Sequence, residues 1–387
     1  MRILTVNLSI DTQAGGGTAE RTYQLSRWLA KENCECTVLT LDDEFSLDRV
    51  GKLAGASLIV LPCLWRRFHL PYGGFDLVGK LVRKSDVIHL MGHWSVLNAL
   101  VCFYAVMYKK PYVVCPAGAL PIFGRSKLLK KFYNFLCGKA IIQRASGWIA
   151  ITKLECDHFE SYGINREKII IIPNCINEED FALPENFSGE VEKGSAPFTP
   201  YILFMGRLNL IKGPDLLLDA FIKVCELYPH FNLVFAGPDN GMQTFLCGKV
   251  AKHKLQGRVH FIGNVDGIVK VLAYRNASLL VVPSRQEAMS IVAVEAGICG
   301  TPVLLTDQCG LQEIREISEV LEIPATSNAI AESLKVLLAD EVSLRSIGLS
   351  WKDFVQKKYR WGKIIHMYLE CFKKVALNKH ISKDVYL

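Results

Sequence analysis

The amino-acid sequence predicts an α/β protein built from two doubly wound, Rossmann-like domains. Short apolar runs alternate with longer amphipathic stretches along most of the 387 residues, and this alternation is typical of parallel sheets whose strands are joined by helices. The alternation is interrupted once, at 183–200, by a segment rich in Pro, Gly, Ser and Glu. Because such a composition favours a loop, we interpret this segment as a linker between two α/β halves.

The first half, residues 1–182, carries a series of strand-like runs that we expect to form one sheet. The run Ile3–Leu8 leads through a glycine-rich turn into a helical pattern over Thr18–Glu32. Continuous apolar runs of this kind are typical of strands that are buried on both faces. The later runs are Cys36–Leu41, Ala56–Leu61, Asp86–Leu90, Tyr112–Cys115, Trp148–Thr152 and Lys168–Ile172.

The second half, residues 201–364, repeats the pattern, with helices expected over Gly213–Glu226 and from about Ile291. We expect ligands to bind in a cleft between the halves, at the carboxyl ends of both sheets. The tail Ser350–Leu377 is predicted to be one long helix that packs across both halves, with about 365–387 lying on the first domain. The expected strands are Tyr201–Met205, Asn232–Phe235, Val259–Ile262, Ser278–Val282 and Pro302–Thr306.

The cysteines do not indicate a disulfide scaffold or a metal site. There are 13 of them, an odd number without regular spacing, and no secretory leader is recognisable, so we expect a cytoplasmic protein with reduced thiols. No Cys or His set has the spacing of a zinc site, so no metal is expected. The longest apolar stretch, Leu97–Tyr108, is too short to cross a bilayer.

The glycine-rich turn after the first strand, Gly15–Gly17, can bring backbone N–H groups close to a phosphate. One interpretation is a dinucleotide site with Asp42 or Asp43 as the ribose-binding acid, which would make the protein an NAD(P)-dependent oxidoreductase. The full glycine fingerprint is absent, because Glu20 occupies the place of the third glycine counted from Gly15. The oxidoreductase therefore stays as an alternative.

Charged residues follow two predicted strands of the second half. Arg207 and Lys212 lie five residues apart on a glycine-containing turn and can converge on a diphosphate. Glu287 and Glu295 lie eight positions apart in an apolar segment. Because a buried carboxylate needs partners, Glu295 requires either ligand hydroxyls, such as those of a ribose, or an internal cation. The helix start at Met289–Val292 can offer N–H groups to a phosphate.

Together these residues resemble the retaining glycosyltransferases of family 4 (group 1), which have the GT-B fold of two Rossmann-like domains facing each other across a cleft. The resemblance implies that the first domain binds the acceptor and the second a nucleotide sugar, without a metal ion or a cofactor. It covers nearly the whole chain and rests on the segments Gly15–Gly17, Ile172–Asn174, Gly206–Gly213, Phe235–Pro238 and Glu287–Pro302.

The resemblance also implies roles for individual residues. Arg207 and Lys212 would bind the diphosphate, Glu287 would hold hydroxyls of the donor sugar, and Glu295 would hold the ribose. His93 would contact the donor sugar, with His89 as the second candidate, because Met91 stands where the family commonly has the second histidine of a His-x-His motif. The other implied donor-binding residues are Gly16, Gly17, Val265, Met289, Ser290, Ile291 and Val292.

The stretch from Lys109 to Arg144 contains eight basic residues and no acidic one, with aromatic residues and leucines between them, Phe123 included. Such a pattern is typical of a helix that lies on anionic lipid, and equally of a helix with a basic solvent-facing side. The first interpretation would suit a lipid-linked acceptor and a peripheral position at the inner face of the plasma membrane.

The expected function is therefore retaining transfer of a sugar from a UDP-sugar, with UDP-glucose as the first donor to consider. The acceptor would be an oligosaccharide or a lipid-linked saccharide in polysaccharide biosynthesis. Besides the oxidoreductase, a nucleotide-binding module without catalysis stays open. No nucleic acid partner is expected, because the net charge is only +7 and no binding motif is present.

Overall fold

A computed structural model describes residues 1–41, 53, 55–65, 69–122, 126–184 and 198–384. The chain divides into a first unit, Met1–Asn174 with Trp361–Leu387, and a second unit, Cys175–Arg360. The division falls before the predicted linker at 183–200, whose residues 185–197 lie outside the described part. It falls earlier because Ile176 forms a β-bridge with Arg360 and its N–H donates to the carbonyl of Tyr359 at 2.9 Å.

The first unit is built on a parallel sheet, in the order β3-β2-β1-β6-β7-β8-β9 among the described strands. Its core is formed by aliphatic residues of these strands, such as Leu4, Leu39 and Ile88, together with side chains of the helices that cover the sheet. The strands of this unit are β1 (Arg2–Val6), β2 (Glu35–Leu41), β3 (Ser57–Leu61), the antiparallel pair β4 (Cys63–Trp65) and β5 (Leu70–Pro71), β6 (Val87–Met91), β7 (Tyr112–Cys115), β8 (Gly147–Ala150) and β9 (Ile169–Ile171).

The helices of the first unit follow the strands as connections of a doubly wound sheet. A π-helical turn, Asn134–Gly138, separates α4 from α5. The helices are α1 (Thr12–Lys31), α2 (Phe75–Lys84), α3 (Val96–Met107), α4 (Lys127–Tyr133), α5 (Lys139–Gln143) and α6 (Lys153–Glu160).

The second unit contains another parallel sheet, ordered β12-β11-β10-β13-β14-β15 within the described residues. Its strands are β10 (Tyr201–Met205), β11 (Asn232–Ala236), β12 (Val259–Gly263), β13 (Leu279–Val282), β14 (Val303–Thr306) and the short β15 (Glu322–Ile323). Its helices are α7 (Pro214–Val224), α8 (Gln243–Lys252), α9 (Gly267–Arg275), α10 (Ile291–Cys299), α11 (Ser327–Leu337) and α12 (Glu341–Lys358).

The tail is not the single helix that the sequence predicts. It consists of α12, which belongs to the second unit, and α13 (Trp361–Asp384), which belongs to the first. The helix breaks because the backbone of Arg360 pairs with Ile176, while its guanidinium donates to Glu178 at 2.8 Å. In the described part of the chain, none of the helices has both the length and the apolar character needed to cross a membrane.

Each sheet has one point at which the strand order reverses, and ligands of doubly wound folds bind at such points. In the first sheet it lies between β1 and β6, and in the second between β10 and β13. The segment Gly15–Gly17 follows β1 and His93 follows β6. Likewise Lys212 follows β10, and Glu287 follows β13. The fold thus brings Gly15–Gly17 and His93 to the switch point of the first sheet, and Lys212 and Glu287 to that of the second.

Candidate active site

An ion pair joins the loops that follow β10 and β13. The Nζ atom of Lys212 lies 2.7 Å from Oε1 of Glu287, and the two side chains are 26% and 8% exposed. The hydroxyl of Ser284 donates to the same carboxylate oxygen. The N–H of Glu287 donates to the carbonyl of Gln308 at 2.8 Å, and this bond fixes the backbone at Glu287. Two predicted site residues are therefore brought together directly.

The loop that carries Lys212 is held against the segment after β13. Gly213 has φ +69°, and a Cβ atom there would lie 2.1 Å from the carbonyl oxygen of Pro283. Arg285 donates to both carboxylate oxygens of Asp215, at 2.8 and 2.6 Å, and to the carbonyl of Leu210 at 2.6 Å. Sequence reasoning missed Arg285 and Asp215; the only signal was their opposite charge near the two motifs.

Arg207, the other residue that is predicted to bind the diphosphate, is exposed at the carboxyl end of β10. Among the described residues it forms no ion pair, and no contact joins it to Lys212. The backbone before it is tightly packed, since a Cβ atom on Gly237 would meet the carbonyl oxygen of Gly206 at 2.0 Å. The guanidinium therefore projects from a fixed backbone.

The start of α10 lies four residues beyond Glu287. Ser290 is the N-cap residue, but its hydroxyl does not cap the helix and, although buried, has no partner among the described residues. Its N–H donates to the carbonyl of Cys309 at 2.9 Å, and Met289 beside it is buried. Ile291 and Val292, both half-buried, begin the helix, so their N–H groups have no intrahelical acceptor and suit a phosphate.

Glu295 has internal partners in the second turn of α10. Its Oε1 lies 2.7 Å from Nζ of Lys270, and its Oε2 accepts a hydrogen bond of 2.7 Å from the hydroxyl of Tyr274. Burial, and secondly the adjacent Glu295, raise the pKa of Tyr274 well above its usual value. The sequence left open whether Glu295 is paired with ligand hydroxyls or with an internal cation, and the internal cation, Lys270, is present. Val265 is half-buried in the loop before α9.

In the first unit, His93 is buried in an aromatic cage just beyond β6. Its ring centroid lies 4.5 Å from that of Trp94 and 5.7 Å from those of Tyr133 and Tyr162. Its Nε2 lies 3.1 Å from Oδ1 of Asn134, whose amide donates to the hydroxyl of Tyr162 at 2.6 Å. Burial lowers the pKa of His93 to about 4, so the ring is neutral and donates from Nε2.

His89 lies within β6 and is fully buried. Its ring packs against Tyr368 and Phe372 of α13, at centroid distances of 5.9 and 5.6 Å. Neither ring nitrogen has a partner in the described part of the chain, and burial lowers the pKa of His89 to about 3. Its side chain is therefore part of the packing under α13, whereas His93 lies at the switch point.

The glycine-rich turn is part of a helix rather than a separate loop. The prediction started the helix at Thr18, but α1 begins at Thr12 and is kinked at Gly16, where φ is 59° and ψ is −139°. Gly16 is half-buried and Gly17 is exposed. Asp42 and Asp43, the acids of the dinucleotide interpretation, lie outside the described residues.

No group of three or more His, Cys, Asp or Glu side chains that could hold a metal ion occurs within the described ranges. Near Glu287, positive charge comes from Lys212 and from the start of α10. The arrangement can bind an anionic ligand through an ammonium group, a guanidinium group and backbone N–H groups.

Two family models match the chain. The model "Glycosyltransferase Family 4" matches residues 15–180, and "Glycosyl transferases group 1" matches residues 191–350. The D-inositol 3-phosphate glycosyltransferase of Nocardia farcinica is 32% identical over 220 residues, which cover 54% of this chain and 49% of that protein. The chain thus spans about half the length of the first curated relatives that it matches.

A second relative and a solved structure match most of the chain. The D-inositol 3-phosphate glycosyltransferase of Xylanimonas cellulosilytica is 30% identical, with 88% of each protein covered. The structure of Anabaena HepE in complex with UDP-glucose superposes with a TM-score of 0.78 at 18% identity, covering 97% of this chain and 100% of that one. The chain therefore belongs to the family 4 (group 1) glycosyltransferases and has the GT-B fold that its sequence predicts.

Proposed function

We propose that the chain is a retaining hexosyltransferase that uses a nucleotide sugar and needs no metal ion. The observation that carries the proposal is the Lys212–Glu287 ion pair beside the open start of α10, at the switch point of the second sheet. UDP-glucose is the first donor to test, because the Anabaena neighbour is described with that molecule. The acceptor we propose is an oligosaccharide or a lipid-linked saccharide in polysaccharide biosynthesis.

The chemistry follows from the charge that develops when a nucleoside diphosphate leaves the sugar. Lys212, Arg207 and the N–H groups at the start of α10 supply fixed positive charge and hydrogen bonds for the leaving group, in the role that a metal ion has in other transferases. Glu287 holds Lys212 in place, and its second oxygen can accept a hydrogen bond from a sugar hydroxyl.

Retention is proposed to occur without a covalent sugar–enzyme intermediate. Oε1 of Glu287 already accepts hydrogen bonds from Lys212 and Ser284, and the adjacent ammonium offsets its charge, which makes the carboxylate a poor nucleophile. The acceptor hydroxyl is instead proposed to attack from the face on which the diphosphate departs.

A binding and transfer assay tests this function. UDP-glucose is expected to raise the melting temperature, because a ligand at a hundred times its Kd stabilises the native state by about 2.7 kcal/mol. The anomeric configuration of the product, read by NMR, should equal that of the donor. Stabilisation by NADH, without stabilisation by UDP-, GDP- or ADP-sugars, would instead support the oxidoreductase alternative.

We also propose peripheral contact with an anionic membrane through the α4 segment, defined as residues 126–138. Its apolar side chains are strongly exposed, with Leu128 at 82% and Phe135 at 85%. Lys127 and Lys131 beside them are exposed as well. Exposed apolar and basic side chains on one short segment suit the boundary between lipid headgroups and acyl chains. Phe123 and Arg125, which belong to the predicted basic stretch, lie outside the described residues.

Replacing both Leu128 and Phe135 with serine is expected to weaken binding to phosphatidylglycerol vesicles by tenfold or more, roughly, since each side chain loses its apolar burial in the lipid. Co-sedimentation measures the binding. Val342→Ser in the second unit is the matched control, because Val342 is 82% exposed as well. Equal binding by wild type and the double variant, or equal binding to neutral vesicles, would contradict membrane contact through this segment.

A further inference from the structure

We infer that Lys270 is a specificity-determining residue of the nucleotide site, where Lys270 and Glu295 together read the ribose of the donor. The inference rests on the proposed function, which makes a nucleoside diphosphate the ligand of the second unit. It concerns a residue of α9 that neither the motifs nor the resemblance singled out.

Glu295 lies within α10 at a distance from the helix start that suits a bound nucleotide. The start of α10 offers its N–H groups at Ile291, and Glu295 lies one turn further along, roughly 6 Å on at 1.5 Å per residue. That distance is comparable to the reach of a nucleotide from its phosphate to its ribose hydroxyls. A diphosphate bound at the helix start therefore brings a ribose close to Glu295.

Lys270 and Glu295 have hydrogen-bonding capacity that their internal contacts do not use. Each oxygen of Glu295 accepts one bond, from Lys270 and from Tyr274, although a carboxylate has about four acceptor positions. Lys270 has three N–H donors, and Glu295 is its only partner among the residues with described positions. The side chain of Lys270 is 28% exposed while that of Glu295 is 6% exposed, so the pair is open to a ligand on the side of Lys270.

A pair of vicinal hydroxyl groups on the ligand would fit the accessible side of the Lys270–Glu295 ion pair. A hydroxyl both donates and accepts, so it can donate to Glu295 and accept from Lys270 at the same time. Lys270 also supplies the counter-charge of the buried carboxylate and holds it in place before the ligand arrives. A ribose adds hydrogen bonds to both members of the pair, whereas a 2′-deoxyribose lacks one of these bonds, and a hydrogen bond to a charged group contributes more than one between neutral groups.

The experiment compares ribose with deoxyribose on the full chain by isothermal titration calorimetry. The tightest ligand among UDP, GDP and ADP is measured against its 2′-deoxy counterpart. Wild type is expected to prefer the ribonucleotide by about tenfold or more, since one hydrogen bond to a charged group is involved. Lys270→Met is expected to reduce this preference to about threefold or less, and Lys270→Arg to restore most of it.

Lys249→Met is the matched control, because Lys249 is 25% exposed and forms an ion pair with Asp219 in the same unit. It should leave the preference unchanged. A wild type without preference, or a Lys270→Met variant that keeps the full preference, would overturn the inference while leaving the proposed function standing. Failure of wild type to bind any of the three ribonucleotides would reject the proposed function itself. The preference is a ratio, so a general loss of stability does not change it.

Discussion

Replacing Lys212 with alanine is expected to lower kcat/KM for sugar transfer by about a hundredfold to a thousandfold, the range seen when one preorganised charge-stabilising group is removed. The variant loses a cation for the leaving diphosphate. It also leaves the carboxylate of Glu287, whose side chain is 8% exposed, without its counter-charge. Both effects act in the same direction, since an uncompensated carboxylate repels the departing phosphate.

Two further variants separate the effect of the lost charge from the effect of altered side-chain geometry. Lys212→Arg keeps the positive charge and should retain more activity than the alanine variant, and Glu287→Gln should lower kcat while the protein still binds nucleotide. Lys249→Ala removes a lysine of similar exposure from an ion pair elsewhere in the unit and should leave transfer unchanged. Transfer by Lys212→Ala within threefold of wild type, roughly, would show that the ion pair is structural. A wild type that binds UDP-glucose but never transfers glucose would favour the module without catalysis.

The sheets could be predicted because their strands are buried on both faces and therefore appear as continuous apolar runs. The run Tyr201–Met205, for example, is a fully buried strand. The two-residue strand β15 was missed because it is too short to form a pattern. The break between α12 and α13 was also missed, since its cause is the pairing of Arg360 with Ile176, which is far away in the sequence.

In the candidate site, too, features that depend on local sequence could be predicted, whereas contacts between distant segments could not. The strands bring Lys212 and Glu287 to one switch point, in line with the predicted position of the ligand at the carboxyl ends of the strands. Their direct ion pair was not predicted, because it depends on how two distant loops are pressed together. Lys270 could not be singled out either, since a lone lysine in an amphipathic helix has the same pattern whether it faces solvent or a buried carboxylate.

A large loss of stability is expected from Trp351→Ala in α12, about 3–5 kcal/mol, as for other buried aromatic residues. The indole of Trp351 is fully buried, its Nε1 donates to the carbonyl of Ala293 at 2.9 Å, and its ring stacks on Phe354 at 5.4 Å. Calorimetry should show a melting temperature lower by on the order of 10 °C for the transition that includes this unit. Trp351→Phe keeps most of the apolar surface and loses the hydrogen bond, so its cost should be about 1 kcal/mol.

The packing partner of Trp351 is Gly297 on α10, where a Cβ atom would lie 2.6 Å from Nε1 of the indole and 2.6 Å from Cγ2 of Val355. Gly297→Ala in wild type should therefore cost about 1–3 kcal/mol through overpacking. In the Trp351→Ala background the new methyl group enters the cavity, and alanine also favours the helix by about 1 kcal/mol, so the same change should be nearly neutral or stabilising. Equal costs in both backgrounds would instead identify Val355 as the group that limits the size of residue 297. Because α10 starts directly after Ser290 and contains Glu295, this coupling energy measures how strongly packing against α12 fixes the position of the proposed nucleotide-binding helix.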